Sequence, residues 1–121
     1  MERIEKVNQL MKREISIILQ QEFQDPKLMF VTVISVDVSR DLRSAVVYYS
    51  FLGDDQRGQA IAKTLDQLSS YIRKLIGQRV RLRYTPQFRF VVDKSIEYGA
   101  RIEKTFREIH EQSEEDEVPE T

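Results

Sequence analysis

Residues 29–52 read MFVTVISVDVSRDLRSAVVYYSFL, and this stretch decides the fold. It is rich in β-branched and aromatic residues, which favour strands over helices. Arg40-Asp41 interrupts the apolar pattern and predicts a turn between a strand over 29–38 and a strand over 43–52. Because the link is so short, the two strands are expected to pair as a hairpin. Their inward faces are predicted to carry Ile34, Val36 and Val38 in the first strand, and Ala45, Val47, Tyr49 and Phe51 in the second.

Helical periodicity flanks the hairpin on both sides. Upstream it predicts a helix over about 2–23, which Asp25-Pro26 ends because proline lacks an amide hydrogen. Downstream, Asp54-Asp55 provide N-caps for a second helix that Gly77 is expected to close, with a bend at Ser69 and Ser70. The two apolar stripes are Ile4, Val7, Met11, Ile15 and Ile18, and Ile61, Leu65, Leu68, Ile72 and Leu75.

A third strand is predicted over about 79–92, where apolar residues alternate with arginines. Asp93 and Ser95 are N-cap candidates for a final helix that carries Ile96, Ile102, Phe106 and Ile109. The element order α-β-β-α-β-α predicts an α+β two-layer sandwich, with a three-stranded sheet covered by helices on one face. The long helical crossover before the third strand allows a mixed sheet.

Length and charge indicate one folded domain with a short tail. The chain has 121 residues and a net charge of −1, but residues 111–121 hold six acids and no base. With 19 basic and 14 acidic residues, positions 1–110 therefore carry a net charge of about +5. We interpret 1–110 as a basic domain and 111–121 as an acidic tail too poor in apolar residues to pack. Such charge asymmetry hints at a nucleic-acid partner.

Several function classes are disfavoured by what the sequence lacks. There are no cysteines, so disulfides, thiolate metal sites and cysteine nucleophiles are excluded. The one histidine, His110, borders the acidic tail, and the four glycines form no phosphate-binding cluster. The charged N-terminus and the absence of a long apolar run predict an intracellular protein without a membrane span. We expect no enzymatic activity, cofactor or metal.

The basic residues are more informative. Between Arg73 and Arg89 the chain carries no acid, and its basic residues there are Arg73, Lys74, Arg79, Arg81, Arg83 and Arg89. On a strand, Arg79, Arg81 and Arg83 would form a ladder on one face that suits a phosphate backbone. The alternative interpretation is a charged edge strand that resists aggregation. We favour nucleic-acid binding because an acid-free run of arginines exceeds what edge protection requires.

The first helix offers further basic residues, Arg3, Lys6, Lys12 and Arg13, which either enlarge this patch or form a solvated helix face. Tyr48, on the outer face of the second strand, either stacks on a base or packs across the strands. No feature supports base-specific reading, so recognition of shape and phosphate is expected.

The sequence closely resembles the ribosome-binding factor A family, bacterial proteins that take part in maturation of the small ribosomal subunit. The resemblance covers about residues 2–107. The matching residues are Asp41-Leu42 with Ala45, Val47 and Ser50; Leu52-Gly53; Tyr71-Ile72-Arg73 with Leu75 and Gly77; Leu82-Arg83, Pro86, Phe88 and Phe90; and Asp93, Ser95, Gly99, Arg101 and Ile102. Each piece is short, but their order and spacing are specific.

The resemblance implies a KH-like fold of type II. It also implies binding to the immature small subunit and its ribosomal RNA near the 5′ end, support of late processing and maturation, notably in the cold, and release by an assembly GTPase. In place of a GxxG loop, family members carry a helix–kink–helix with an Ala-x-Gly signature. The matching stretch here is Leu68-Ser69-Ser70, which differs at both signature positions.

Together, the sequence patterns and the family resemblance imply a cytoplasmic, monomeric RNA-binding protein of ribosome assembly. A protein-interaction module whose basic face binds an acidic protein is the alternative, whereas an enzyme acting on RNA lacks a candidate acid–base pair. The residues predicted to bind RNA are Arg3, Lys6, Lys12, Arg13, Ser69, Ser70, Arg73, Lys74, Arg79, Arg81, Arg83 and Arg89.

Overall fold

The predicted hairpin forms and lies at one side of a three-stranded sheet. The structure, a computed structural model, describes residues 3–93. Its elements are α1 (Arg3–Gln21), a 3-10 helix (Pro26–Phe30), β1 (Val31–Val38), β2 (Ser44–Phe51), α2 (Asp55–Arg79) and β3 (Gln87–Val92). The strand order is β1-β2-β3, with β1 antiparallel and β3 parallel to β2. The predicted α+β class is confirmed. The final helix and the acidic tail lie outside the described residues.

The core lies between the sheet and the two helices. α1 packs against β1, and α2 packs against β3. Of the two predicted apolar stripes, the buried members are Val7, Met11, Ile15, Ile18, Ile61, Leu65 and Ile72. Leu68 and Leu75 are only partly buried, while Ile76, outside the predicted stripe, is fully buried. On β2, Ala45, Val47 and Tyr49 face this core as predicted, and Phe51 is partly buried against it.

A β-bulge in β1 changes which residues face the core. The register with β2 shifts between Val33 and Ser35. Val33 and Val36 are consequently both buried, and Ile34 is partly exposed. An extra residue in a strand reverses the alternation of its faces, so the predicted inward position of Ile34 was wrong.

The predicted third strand was wrong in its first half. α2 continues through Gly77 to Arg79, and residues 80–86 are irregular, so that β3 begins only at Gln87. Pro86 cannot donate a ladder hydrogen bond, and β2 offers partners only from Ser44, which pairs with Gln87. Gly77 is therefore not the residue that closes α2. A Cβ there would lie 3.2 Å from the hydroxyl oxygen of Thr85, so glycine lets this segment pass close to the helix.

The predicted helix starts and stops have clear chemical causes. The Asp54 carboxylate caps α2 by accepting a hydrogen bond from the Arg57 amide at 2.9 Å. After α1, Asp25 caps the 3-10 helix in the same way through the amide of Lys27. Ser69 and Ser70 do not interrupt α2. The Ser69 hydroxyl donates to the carbonyl of Asp66, about one turn earlier in the helix, at 3.1 Å, and a bend at this point stays a prediction.

One side chain joins α1 directly to the sheet. The amide oxygen of Asn8 accepts a hydrogen bond from the backbone amide of Val38 at 2.9 Å, at the end of β1. Asn8→Ala should lower the free energy of unfolding by about 1 kcal/mol because that amide loses its partner. Urea denaturation measures this, with Gln9→Ala, an exposed neighbour on the same helix, as the control. Equal stability of both variants would contradict the assignment.

Candidate nucleic-acid interface

Arg79 is an ion-pairing residue between the helices. Arg79 is the last residue of α2. Its guanidinium contacts the carboxylate of Glu22, which directly follows α1, and lies 3.7 Å from the carboxylate of Glu14 on α1. Its positive charge is thereby largely neutralised. The prediction that Arg79 belongs to a strand ladder was wrong, because the strand does not extend to it.

The other members of the predicted ladder do not share a strand face either. Arg81 and Arg83 lie in the irregular segment 80–86, and both are exposed. Arg89 is the one predicted arginine on β3, where it pairs in register with Val46 and alternates with the buried Phe88. It therefore points away from the core, on the face of the sheet opposite α1 and α2.

A different set of basic residues comes together around Tyr84. The guanidinium of Arg43 lies 4.1 Å from the centre of the Tyr84 ring, and that of Arg83 lies 5.6 Å from it. The Nε of Arg73 donates to the carbonyl of Thr85 at 3.0 Å, which fixes α2 against this segment. We define the basic surface as Arg3, Arg40, Arg43, Arg73, Lys74 and Arg83, with Tyr84 at its centre.

The basic surface is concave and continuous. Tyr84 lines three neighbouring depressions, one with Arg3, Arg40, Arg43 and Arg83, one with Arg43 and Arg73, and one with Arg73, Lys74 and Arg83. A fourth depression, of about 190 Å³, joins Arg73 to Ser69 and Ser70. Five basic or hydroxyl side chains predicted from α2 and its following segment thus lie together: Ser69, Ser70, Arg73, Lys74 and Arg83.

Three of the four predicted basic residues of α1 lie apart from the basic surface. Arg3 lines one of its depressions, whereas Lys6, Lys12 and Arg13 are exposed along the helix and line none of them. Arg13 also lies 3.4 Å from the carboxylate of Glu14. The structure therefore divides the basic residues of α1 into one member of the surface and three solvated side chains.

Three residues of the surface were not among those predicted: Arg40, Arg43 and Tyr84. Arg40 and Arg43 flank the hairpin turn, and the carbonyl of Arg43 accepts the amide of Gln87 at 3.0 Å. That bond brings the turn beside the segment that carries Arg83 and Tyr84. The sequence does show a turn between two arginines. It does not show that this turn lies beside β3, because that position depends on the parallel pairing of β2 with β3.

The hairpin turn is rigidly braced around Asp41. Its carboxylate accepts hydrogen bonds from the Ser39 hydroxyl at 2.7 Å and from the Arg43 amide at 3.1 Å. The Ser39 hydroxyl oxygen in turn accepts from the Ser44 amide at 3.1 Å. These bonds, led by the one from Ser39, hold the pKa of Asp41 below its ordinary value. The Asp41 carboxylate thus accepts its hydrogen bonds within the turn and stabilises it.

Outside the basic surface, the acidic side chains of residues 3–93 form no metal-binding group. Within 3–93, no three histidine, aspartate or glutamate side chains are grouped so that they could hold a metal ion. Burial raises the pKa of Tyr49, which belongs to the core beneath the sheet. No helix in this part of the chain combines the length and apolar character needed to cross a bilayer.

Comparison with known proteins identifies the family. A family model described as ribosome-binding factor A matches residues 3–106. The chain belongs to the ribosome-binding factor A family. The ribosome-binding factor A of Halothermothrix orenii is 41% identical over 115 residues, which is 95% of this chain and 94% of that relative. The resemblance seen in the sequence is confirmed.

Solved structures of the ribosome-binding factor A family share the fold. The crystal structure of the Thermus thermophilus factor has a TM-score of 0.67 at 22% identity, covering 75% of this chain and 97% of that chain. A homology model of the Thermus factor, fitted into a cryo-EM map of its complex with 30S, has a TM-score of 0.60 at 23% identity. That comparison covers 72% of this chain and 91% of the model.

Because Arg79 is paired with two glutamates, its removal should act on stability. Arg79→Ala should lower the free energy of unfolding by about 1 kcal/mol, since two partly exposed ion pairs are lost. Arg81→Ala is the matched control, because that exposed arginine forms no ion pair among residues 3–93. Thermal unfolding at low and high salt measures both variants. A salt-independent difference would argue against the ion pairs.

The hydrogen bonds to Asp41 predict how its pKa changes when one of them is removed. Ser39→Ala should raise the pKa of Asp41 toward its ordinary value, since the strongest hydrogen bond to the carboxylate is removed. Because the folded-state pKa is lowered, the carboxylate favours the folded turn at neutral pH and loses this effect as the pH falls through that pKa. NMR detection of the carboxyl carbon measures the shift. Asp25, whose pKa is lowered mainly by the amide of Lys27, should not change.

Proposed function

We propose that this protein binds the small ribosomal subunit and its ribosomal RNA through the basic surface. The observation that carries the proposal is the assembly of six basic side chains around Tyr84 with hydroxyl groups beside them. Arginine presents several donors in a fixed geometry that suits phosphate oxygens, and serine hydroxyls add short-range donors. Membership of the ribosome-binding factor A family and the fitted 30S complex of the Thermus relative support this partner.

The finer features of the proposal come from the family resemblance. We infer that the protein acts on immature subunits near the 5′ end of the ribosomal RNA and supports late processing and maturation, notably in the cold. Release by an assembly GTPase, a monomeric state, a cytoplasmic location and a KH-like fold of type II belong to the same proposal. No catalytic step is proposed, because the relatives are named for ribosome binding.

The contribution of Ser69, Ser70, Arg73 and Lys74 follows from their position on α2. All four lie on the second half of the helix, and the Arg73 side chain is held by the carbonyl of Thr85. A phosphate bound by Arg73 and Lys74 would lie next to the serine hydroxyls, because Arg73 and both serines line one depression. This part of the basic surface is therefore proposed as its principal phosphate-binding site.

Two adjacent basic pairs on the two helices provide a matched test. Arg73→Ala with Lys74→Ala should weaken binding to purified small subunits and lower the slope of log K against log salt. The decrease should be about 0.7 for each lost contact with single-stranded RNA. Lys12→Ala with Arg13→Ala removes the same charge from exposed positions outside the basic surface and should change neither quantity. Sedimentation with subunits at several salt concentrations measures both.

Equal losses from the two pairs would mean that net charge, and not the basic surface, determines binding. Binding that resists nuclease digestion of the RNA would instead support the alternative, a protein-interaction module that recognises an acidic protein. Circular dichroism of each variant controls for unfolding.

A further inference from the structure

A groove with an apolar floor lies at one end of the basic surface. It has a volume of about 790 Å³ and lies between the start of α1, the hairpin turn and the segment 80–86. Its floor consists of Ile4, Val7, Leu42, Leu82 and the ring of Tyr84, and its charged residues are Arg3, Arg40, Asp41, Arg43 and Arg83. This size falls within the range of roughly 300–1,000 Å³ that is typical of small-molecule sites.

Leu42 in the floor has an unusual backbone. Its φ of 66° makes it the one residue other than glycine with positive φ among residues 3–93. Hairpin positions of this kind favour glycine or asparagine, because a larger side chain adds strain. Strained residues cluster at functional sites. Here the strain accompanies a leucine side chain that helps to form the groove, partly buried against the core.

The charge of the groove is strongly positive. Four arginines and one aspartate give a net charge of about +3. The aspartate is Asp41, whose carboxylate is bound by Ser39 and by the amide of Arg43. None of the four arginines forms an ion pair within the part of the chain that the structure describes. Among residues 3–93, the groove therefore combines apolar surface with guanidinium groups that form no ion pair.

We propose that this groove holds an unstacked base of single-stranded ribosomal RNA, with the flanking phosphates on its arginines. The base would lie against Leu42, Leu82 and Tyr84, while Arg40 and Arg83 contact the backbone. Unpaired bases stack on aromatic rings and on guanidinium planes, and Arg43 over Tyr84 already supplies both. An acidic peptide would match the charge but would not require an aromatic ring paired with a guanidinium. This inference rests on the proposed function and adds the class of RNA.

Fluorescence anisotropy with three labelled RNAs tests the inference on the full chain. The first is a short single strand, the second is the same strand with abasic riboses at its central positions, and the third is a duplex of the same sequence. The single strand should bind about 5- to 150-fold more tightly than the abasic strand, because stacking is lost with the base. The duplex should bind no more tightly than the abasic strand, since its bases are already stacked.

Leu42→Asn locates the effect in the groove. Asparagine tolerates positive φ, so the turn should be preserved while the apolar floor is lost. The preference for the base-containing strand should shrink toward unity in this variant, with the affinity for the abasic strand unchanged. Leu52→Asn is the control, because this leucine follows the opposite end of β2 and is 71% exposed. It should keep the full preference.

Equal affinities of the unaltered protein for the two single strands would overturn the inference, whether or not any variant folds. The inference would also be overturned if Leu42→Asn kept the full preference for the base-containing strand over the abasic strand. The same holds if an acidic peptide occupied the groove and RNA binding remained unchanged. In each case, binding of subunits that still depends on Arg73 and Lys74 would leave the proposed function standing. If the unaltered protein did not bind small subunits, both the inference and the proposed function would be overturned.

Discussion

The pairing of β2 with two neighbours of opposite direction is the constraint on which the rest of the structure depends. β1 runs antiparallel to it and can be joined by a short turn, whereas β3 runs parallel to it and needs the long crossover through α2. The first residue of β3, Gln87, therefore pairs with the first residue of β2, Ser44. The hairpin turn and the segment before β3 must consequently meet at the same end of the sheet.

This constraint also explains why the basic surface draws on three separate parts of the chain. The hydrogen bond that the Val38 amide donates to the Asn8 side chain sets the beginning of α1 beside the end of β1, next to the same turn. Arg3, the arginines of the turn and Arg83 thus converge although they are far apart in the sequence. The bond from Arg73 to the carbonyl of Thr85 adds the second half of α2. The surface is a product of topology, with local sequence supplying the side chains.

Much of the fold could be predicted from the sequence because it follows from local chemistry. Two strands around Arg40-Asp41, two amphipathic helices and the cap at Asp54 all formed, although α2 extends past Gly77 and residues 29–30 belong to the 3-10 helix and not to β1. The bulge at Ile34 could not be predicted, since it is a property of the register with β2. The alternation before Pro86 predicted a strand, but Val80 is buried and Leu82 lines a groove in irregular backbone. Alternating burial is therefore compatible with a strand without requiring one.

In the candidate site, too, the residues on one helix could be predicted, and the residues brought together by strand pairing could not. Ser69, Ser70, Arg73 and Lys74 were predictable because neighbours on one helix stay neighbours in the fold. Arg40 and Arg43 were not, since only the parallel pairing brings them beside Tyr84.

Arginine content alone could not distinguish residues that are proposed to bind phosphate from residues that hold the protein together. Arg79 belongs to the same acid-free run as Arg83, yet Glu14 and Glu22 from another part of the chain neutralise it. Arg43 and Arg83 instead contact a tyrosine ring, and Arg73 contacts a backbone carbonyl, none of which carries a compensating negative charge. These contacts restrict the side chains while leaving their charge available, which lowers the entropy lost when a phosphate binds. The availability of an arginine for RNA thus depends on which group the fold places beside it.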